Sequence, residues 1–290
     1  MKLMAETTRM IYKDDIKNSL SLLEIRKGDI VLVHSALTSI GYVDGGADTV
    51  IDALLETVGD EGTIVMSSLT NWDKAFDAKT SPSAVGKISE TFRKRENAVR
   101  SLHPVHSVAA IGKSAEYIAA GHDTCETGCG MGTPYMKIHD LGGKIMLLGV
   151  DMDRNTFMHT IEVEADAKYL KQIEIPAPTY IENWRNKTIT LSKFPPGHRD
   201  FISFTSQLRK KNAILEGMIG NAAVKIMDAR KAYKIGIALL EQDPLSFICH
   251  NTNCNFCDAV RTKSKGADMS EYLCNGCCNT NCEICVVTAQ

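Results

Sequence analysis

The sequence predicts a three-layer α/β/α body with a mixed, mostly parallel central sheet, followed by a small cysteine-rich C-terminal tail. Three observations carry this reading. Short apolar runs of strand length alternate along the chain with segments whose apolar residues recur at helical spacing. Glycine-containing turns separate the two kinds of segment. Of ten cysteines, Cys125 and Cys129 lie in the first 248 residues, and the other eight crowd into residues 249–285.

Taken in order, residues 14–25 place Ile16, Leu20 and Leu23 on one helical face. The turn Lys27-Gly28-Asp29 leads into a strand over Ile30–Val33. The loop from Ser35 to Gly46 ends in a Gly-Gly pair, and a helix over 47–58 follows, with Val50, Ile51, Leu54 and Leu55 on one face. After the turn 59–62 comes a strand at 63–66, then a helix near 85–94, a strand near 107–111 and a helix near 114–120. A glycine-broken loop covers 121–133, a short helix 134–141 and a strong strand 144–150. A helix over 156–167 places Asp166 on the face of His159 and Glu162. Residues 169–194 read as a peripheral insertion of short β-like pieces, and helices resume at 199–210 and 228–241. The body is therefore residues 1–245, and the tail 246–290 is too poor in apolar residues for a core of its own.

Composition narrows the function classes. The 290 residues are 44% hydrophobic and 23% charged, an ordinary globular balance. A formal charge of −2, from 33 basic and 35 acidic residues, argues against nucleic-acid binding, which needs a cationic excess. The polar N-terminus lacks a signal-peptide apolar stretch, and no run approaches membrane-spanning length, so a cytoplasmic protein without a membrane partner is expected. An assembly of identical chains is compatible with the sequence.

Four segments could carry chemistry. His34-Ser35-Ala36-Leu37-Thr38-Ser39 follows a predicted strand, where α/β sheets gather ligands, and equally reads as a loop capping the next helix. Arg100-Ser101-Leu102-His103-Pro104-Val105-His106-Ser107 offers a cation, imidazoles and hydroxyls to an anion or an acyl carbonyl, or a set of structural histidines. His159 and Glu162 are three residues apart on a predicted helix, so the carboxylate can hold the imidazole as a general base; an amphipathic surface pair is the alternative. The sequence contains no phosphate-binding G-x-x-x-x-G-K-[ST], no H-E-x-x-H and no G-x-S-x-G, which argues against nucleotidases, zinc proteases and α/β-hydrolases.

The fourth segment is the tail. Cys254-x2-Cys257 and Cys274-x2-Cys277, sixteen residues apart, fit a zinc ribbon. Cys249, Cys278, Cys282 and Cys285 remain for a second site, along with His250. Ferredoxin-like and radical-enzyme spacings are also present, but outside the folds those families require.

In combination and in order, the segments resemble the aminoglycoside 3-N-acetyltransferase family over residues 12–245. The resemblance rests on Gly28-Asp-Ile-Val-Leu-Val-His-Ser-Ala-Leu37, Gly45-Gly-Ala47, Val58-Gly-Asp-Glu-Gly-Thr63 and Arg100-Ser-Leu-His-Pro104 with Ser107. It continues through Gly132-Thr-Pro134, Gly142-Gly-Lys-Ile-Met-Leu-Leu-Gly149, His159-Thr-Ile-Glu162, Gly197-His-Arg-Asp-Phe201, Ile219-Gly-Asn-Ala222 and Asp243-Pro244. It implies acetyl transfer from acetyl-CoA to an amine of an aminoglycoside or small polyamine, with His159 and Glu162 as the base pair. The CoA-binding loop would be His34–Ser39, with Arg100 and His103 beside it and Ser107 or loop amides stabilising the tetrahedral oxyanion. Asp73, Asp77, Asp151 and Asp153 are candidates for a cationic acceptor, and structural Zn2+ is expected in the tail. Met66-Ser-Ser-Leu-Thr70 and Gly130-Met-Gly132 depart from the family pattern on the acceptor side. The rival readings are an acyltransferase for a non-antibiotic amine and a CoA-binding protein whose tail senses metal or redox state.

Overall fold

A computed structural model describes residues 9–195, 197–251 and 253–263. Its central sheet is built from β1 (Ile30–Ser35), β2 (Thr63–Ser67), β3 (Val99–Arg100), β4 (Val108–Gly112), β5 (Lys144–Leu148), β8 (Ile214–Ile219) and β9 (Ala222–Asp228), in the order β3-β4-β2-β1-β5-β9-β8. β1 pairs in parallel with β2 and β5, while β4 and β9 run antiparallel on either side. The outermost strands β3 and β8 reverse direction again. Most strands therefore point the same way, although only the central three are parallel neighbours.

Alternation along each strand loads both faces of the sheet. Val31, Val33, Ile64, Met66, Met146 and Leu148 enter one core, packed against α1 (Lys13–Leu22), α3 (Gly46–Val58) and α4 (Lys87–Phe92). Leu32, Val65, Ile145 and Leu147 enter the other. That second core is covered by α5 (Ala115–Ala119), α6 (Pro134–Asp140), α7 (Phe157–Glu164), α8 (Phe204–Lys210) and α9 (Ala229–Gln242). Each fully buried Leu, Ile or Phe in these layers contributes roughly 1.5–3 kcal/mol. Among the described residues, no helix is long and apolar enough to cross a membrane.

Several local expectations need adjusting. α7 ends at Glu164, and Asp166 turns away with φ +50° to pair with Lys168 and Lys193 at the surface, so it does not share the face of His159. Segment 213–228 forms the hairpin β8–β9, which helical spacing on either side obscured. The insertion is a separate two-stranded sheet, β6 (Lys171–Pro176) with β7 (Thr188–Phe194), packed through Ile175, Leu191 and Phe194 on Val105. The first turn after β1 is a one-turn helix, α2 (Leu37–Ile40).

The tail is continuous with the body where it is described. Phe247 is buried in the second core, and α10 (Asn255–Lys263) follows. Ile248, Cys249, Cys254, Phe256, Cys257 and Val260 share one apolar cluster with Ala167 and Tyr169 of the body.

Candidate active site

The parallel strands β1, β2 and β5 end on one edge of the sheet, and a cavity of about 340 Å³ opens there. Val33, His34, Ser35, Ala36 and Ser67 supply it from the strand ends, and Val150, Arg154 and Thr156 from the connection to α7. His34 is buried, and burial lowers its imidazole to about 3, so it is neutral. His34 Nε2 and Thr156 Oγ1 are buried polar atoms without a partner among the described residues, both in residues that line this cavity. A ligand that hydrogen-bonds there would relieve the cost of leaving them unmet.

The rest of the loop is bound into the fold. The Ala36 amide donates to Leu148 O at 2.9 Å, and Ser39 Oγ donates to Gly149 O at 2.9 Å. This close approach needs a glycine: Gly149 has φ +69°, and a Cβ on it would lie 2.5 Å from Ser39 Cβ. Of the loop residues read from the sequence, His34, Ser35 and Ala36 reach the cavity, while Leu37, Thr38 and Ser39 form α2 beside it.

His159 lies in the first turn of α7, a helix buried from Phe157 through Val163. Its Nδ1–H donates to Glu162 Oε2 at 2.7 Å. Glu162 is fully buried, and its other oxygen accepts from Arg199 Nε. Burial alone would raise the Glu162 carboxyl, but Arg199 and the His159 hydrogen bond outweigh it and hold the group below the usual carboxylate range. The guanidinium of Arg199 lies over Tyr169, 4.5 Å from the ring centroid, and over Phe256 at 5.2 Å. With Nδ1 engaged by an ionised carboxylate, Nε2 carries the lone pair that can take a proton. His106 and Phe201 pack edge-on against the His159 ring, at centroid distances of 6.3 and 5.3 Å.

The segment 100–107 is engaged mainly with the protein itself. Arg100 donates to Ser81 O at 2.5 Å, Ala78 O at 3.2 Å and Ser68 O at 3.0 Å, and its Nε to Ser107 Oγ at 3.2 Å. Ser107 is fully buried and directs its one proton to Ser68 O at 2.7 Å. His103 Nδ1 accepts from the Val105 and His106 amides at 3.1 and 2.9 Å, and its ring stacks on His122. Arg100, His103 and Ser107 thus brace the strap leading into β4 and are not part of the cavity wall at the strand ends.

The four aspartates differ in exposure and in partners. Asp73 is exposed. Asp77 accepts from the Lys79 and Thr80 amides at 2.9 and 2.8 Å and from Thr179 Oγ1 at 3.0 Å. The Thr80 amide above all holds its carboxyl below the usual range. Asp151 caps the Met152 amide at 2.6 Å and pairs with Lys225. Asp153 lies 3.4 Å from Arg154 Nε, and burial pushes its carboxyl up.

Beyond this site, His198 Nδ1 and the sulfurs of Cys249, Cys254 and Cys257 all lie within 4.8 Å of one another. The expected ribbon partners Cys274 and Cys277, and Cys278, Cys282 and Cys285, lie outside the described residues. Four residues now prominent had no role in the sequence reading: Arg199, His198, Arg154 and Thr156. The motif Gly197-His-Arg-Asp-Phe201 contained two of them, with nothing local to indicate their partners.

Comparison with known proteins gives the family of the chain. A family model described as aminoglycoside 3-N-acetyltransferase matches residues 32–241. An aminoglycoside N(3)-acetyltransferase IV from Salmonella sp is 30% identical over 253 residues, 81% of this chain and 90% of that protein. The crystal structure of a mutant of the aminoglycoside acetyltransferase AAC(3)-IVa in complex with a gentamicin superimposes with a TM-score of 0.80 at 28% identity, covering 89% of this chain and 99% of the other. AAC-IIIb, solved as a binary complex with CoASH, gives a TM-score of 0.73 at 25% identity over 81% of this chain and 97% of that one.

Proposed function

Because the chain belongs to the aminoglycoside 3-N-acetyltransferase family, we propose that it moves the acetyl group of acetyl-CoA to the 3-amino group of a 2-deoxystreptamine aminoglycoside, with His159 as general base. The observation that carries this reading is the buried relay in which Glu162 holds His159 Nδ1 at 2.7 Å and is itself held by Arg199.

An ammonium group has no lone pair, so the acceptor must lose a proton before it attacks. Nε2 of His159 takes it. The amine nitrogen bonds to the thioester carbonyl carbon and sheds its second proton, the C–S bond breaks, and the departing CoA thiolate takes up a proton. No covalent acyl-enzyme is needed. Glu162 stabilises the imidazolium formed in between. The acyl end of acetyl-CoA would enter the cavity between His34, Ser35 and Ala36 on one side and Thr156 on the other. Thr156 Oγ1 is the better donor to the developing oxyanion, since Ser107 already donates to Ser68 O. Arg154 offers the cavity a cation for the anionic cofactor. Asp73, the exposed one of the four, is the carboxylate left for an acceptor ammonium group, because Asp77, Asp151 and Asp153 are engaged within the protein. A cytoplasmic setting suits a supply of acetyl-CoA.

The test is release of CoA thiol with kanamycin or gentamicin, with the product followed by mass spectrometry. His159→Ala should lower kcat by about 100-fold or more with the protein still folded. Undiminished turnover in that variant would remove His159 from the mechanism. Turnover of other amines but no aminoglycoside would move the acceptor to a non-antibiotic metabolite.

A further inference from the structure

The cluster where tail meets body has the chemistry of a metal centre. Three thiols and one imidazole are the ligand types that select zinc. A tetrahedral zinc ion with bonds of about 2.3 Å to sulfur and about 2.0 Å to nitrogen sets its ligand atoms about 3.5–3.8 Å apart. His198 Nδ1 lies 3.6 Å from Cys257 Sγ and 3.8 Å from Cys254 Sγ, and no pair in the group of four exceeds 4.8 Å. Cys249, Cys254 and Cys257 are all buried, in a cluster shared with Ala167 and Tyr169. The arrangement differs from a zinc ribbon confined to the tail, because one ligand comes from the body.

We propose that His198, Cys249, Cys254 and Cys257 bind one zinc ion, which fastens the tail to the body and positions Arg199. Three thiolates and a neutral imidazole around Zn2+ give a centre of net charge about −1, one residue from the buried Arg199 guanidinium. Arg199 Nη1 donates to His198 O at 2.9 Å, so the ligand and the arginine share one short backbone segment. Phe256, between Cys254 and Cys257, lies under the guanidinium and against Gly197, where a Cβ would come 2.4 Å from its ring. Holding α10 in place therefore holds one wall of the pocket that aims Arg199 at Glu162. A nine-residue helix is marginal without such an anchor. His198 and the cysteines are positioning residues, and this consequence for catalysis rests on the reading of His159 as the base; the metal site itself does not.

The experiment uses the full chain loaded with zinc, and with Co2+ as a spectroscopic probe. Zinc analysis should find a bound equivalent that survives replacement of Cys274, Cys277, Cys278, Cys282 and Cys285 by serine. The cobalt form of that five-serine variant should show thiolate charge-transfer bands and the strong visible bands of tetrahedral cobalt. In the same background His198→Ala should weaken metal binding at least tenfold, and His198→Cys should restore it with stronger charge transfer. Loss of all metal in the five-serine variant, or a cobalt spectrum unchanged by His198→Ala, overturns the proposal. For the positioning role, His198→Ala should lower kcat about tenfold or more and shift its pH profile, with little change in KM for acetyl-CoA. An unchanged kcat and pH profile would reduce the ion to a staple. The metal measurements read the site even if acetyl transfer fails.

Discussion

Acid should destabilise this protein well before its carboxylates titrate. Burial lowers His34, His106 and His122 to about 3, and takes His103 well below its ordinary value. Hydrogen bonds give the effect a structural meaning at two of them. His103 Nδ1 accepts two amides, and His122 Nδ1 accepts from Ser101 Oγ at 2.9 Å while its Nε2–H donates to Gly128 O at 3.0 Å. A second proton on either ring would face a donor. The folded values lie below the unfolded value of about 6.5, so the unfolded chain binds more protons, and stability falls as pH drops from about 6.5 toward 3. At pH 5.5 each ring costs about 1.4 kcal/mol relative to pH 8, and the four together about 5.6 kcal/mol. That is comparable to the whole stability of many domains, about 5–15 kcal/mol. Glu162 and Glu90 are held below the usual carboxylate range, so what they contribute persists at pH 5.5 and is lost only at lower pH. Urea unfolding followed by tryptophan fluorescence at both pH values measures the difference. His122→Gln, which cannot titrate, should flatten it by about 1.4 kcal/mol whatever else responds to pH. An unflattened slope, or NMR titration of these rings near 6.5, would refute the reasoning.

Two further outcomes follow from the same geometry. Glu162→Gln removes the carboxylate that faces both Arg199 and His159 in the buried relay; it should cost about 3–5 kcal/mol in chemical denaturation and at least about 100-fold in kcat. Gly149→Ala places a Cβ at φ +69° and 2.5 Å from Ser39 Cβ; it should cost about 1–3 kcal/mol and raise KM for acetyl-CoA by displacing α2, as thermal melts and initial rates would show.

What could be read in advance was local or periodic. The strands that build the sheet centre were legible because each carries a buried apolar run between glycine turns, as in Ile30–Ser35 and Lys144–Leu148. The His159–Glu162 pair was legible because residues three apart on a helix meet whatever else the fold does. The hairpin β8–β9 was missed although Val224 and Ile226 alternate after the turn at Gly220, because strong helical patterns on both sides left the segment without a reading of its own. Ser107 and His103 have the residue types of catalytic donors, but only the structure shows that a carbonyl takes the Ser107 proton and that two amides occupy His103 Nδ1.

Sequence alone thus determined the layered body, its family and the contact between His159 and Glu162, since alternation, helical spacing and ordered motifs are properties of neighbouring residues. Tertiary structure decided which groups stay available and which are already engaged. Arg199 reaches Glu162 across 37 residues, and Cys257 meets His198 across 59. Contacts of that kind depend on where loops close and which surfaces pack, and local spacing carries no record of either. The eight tail cysteines were the plainest signal in the chain, and packing changed what three of them mean: Cys249, Cys254 and Cys257 converge on a histidine of the body, next to the arginine that holds the glutamate beneath His159.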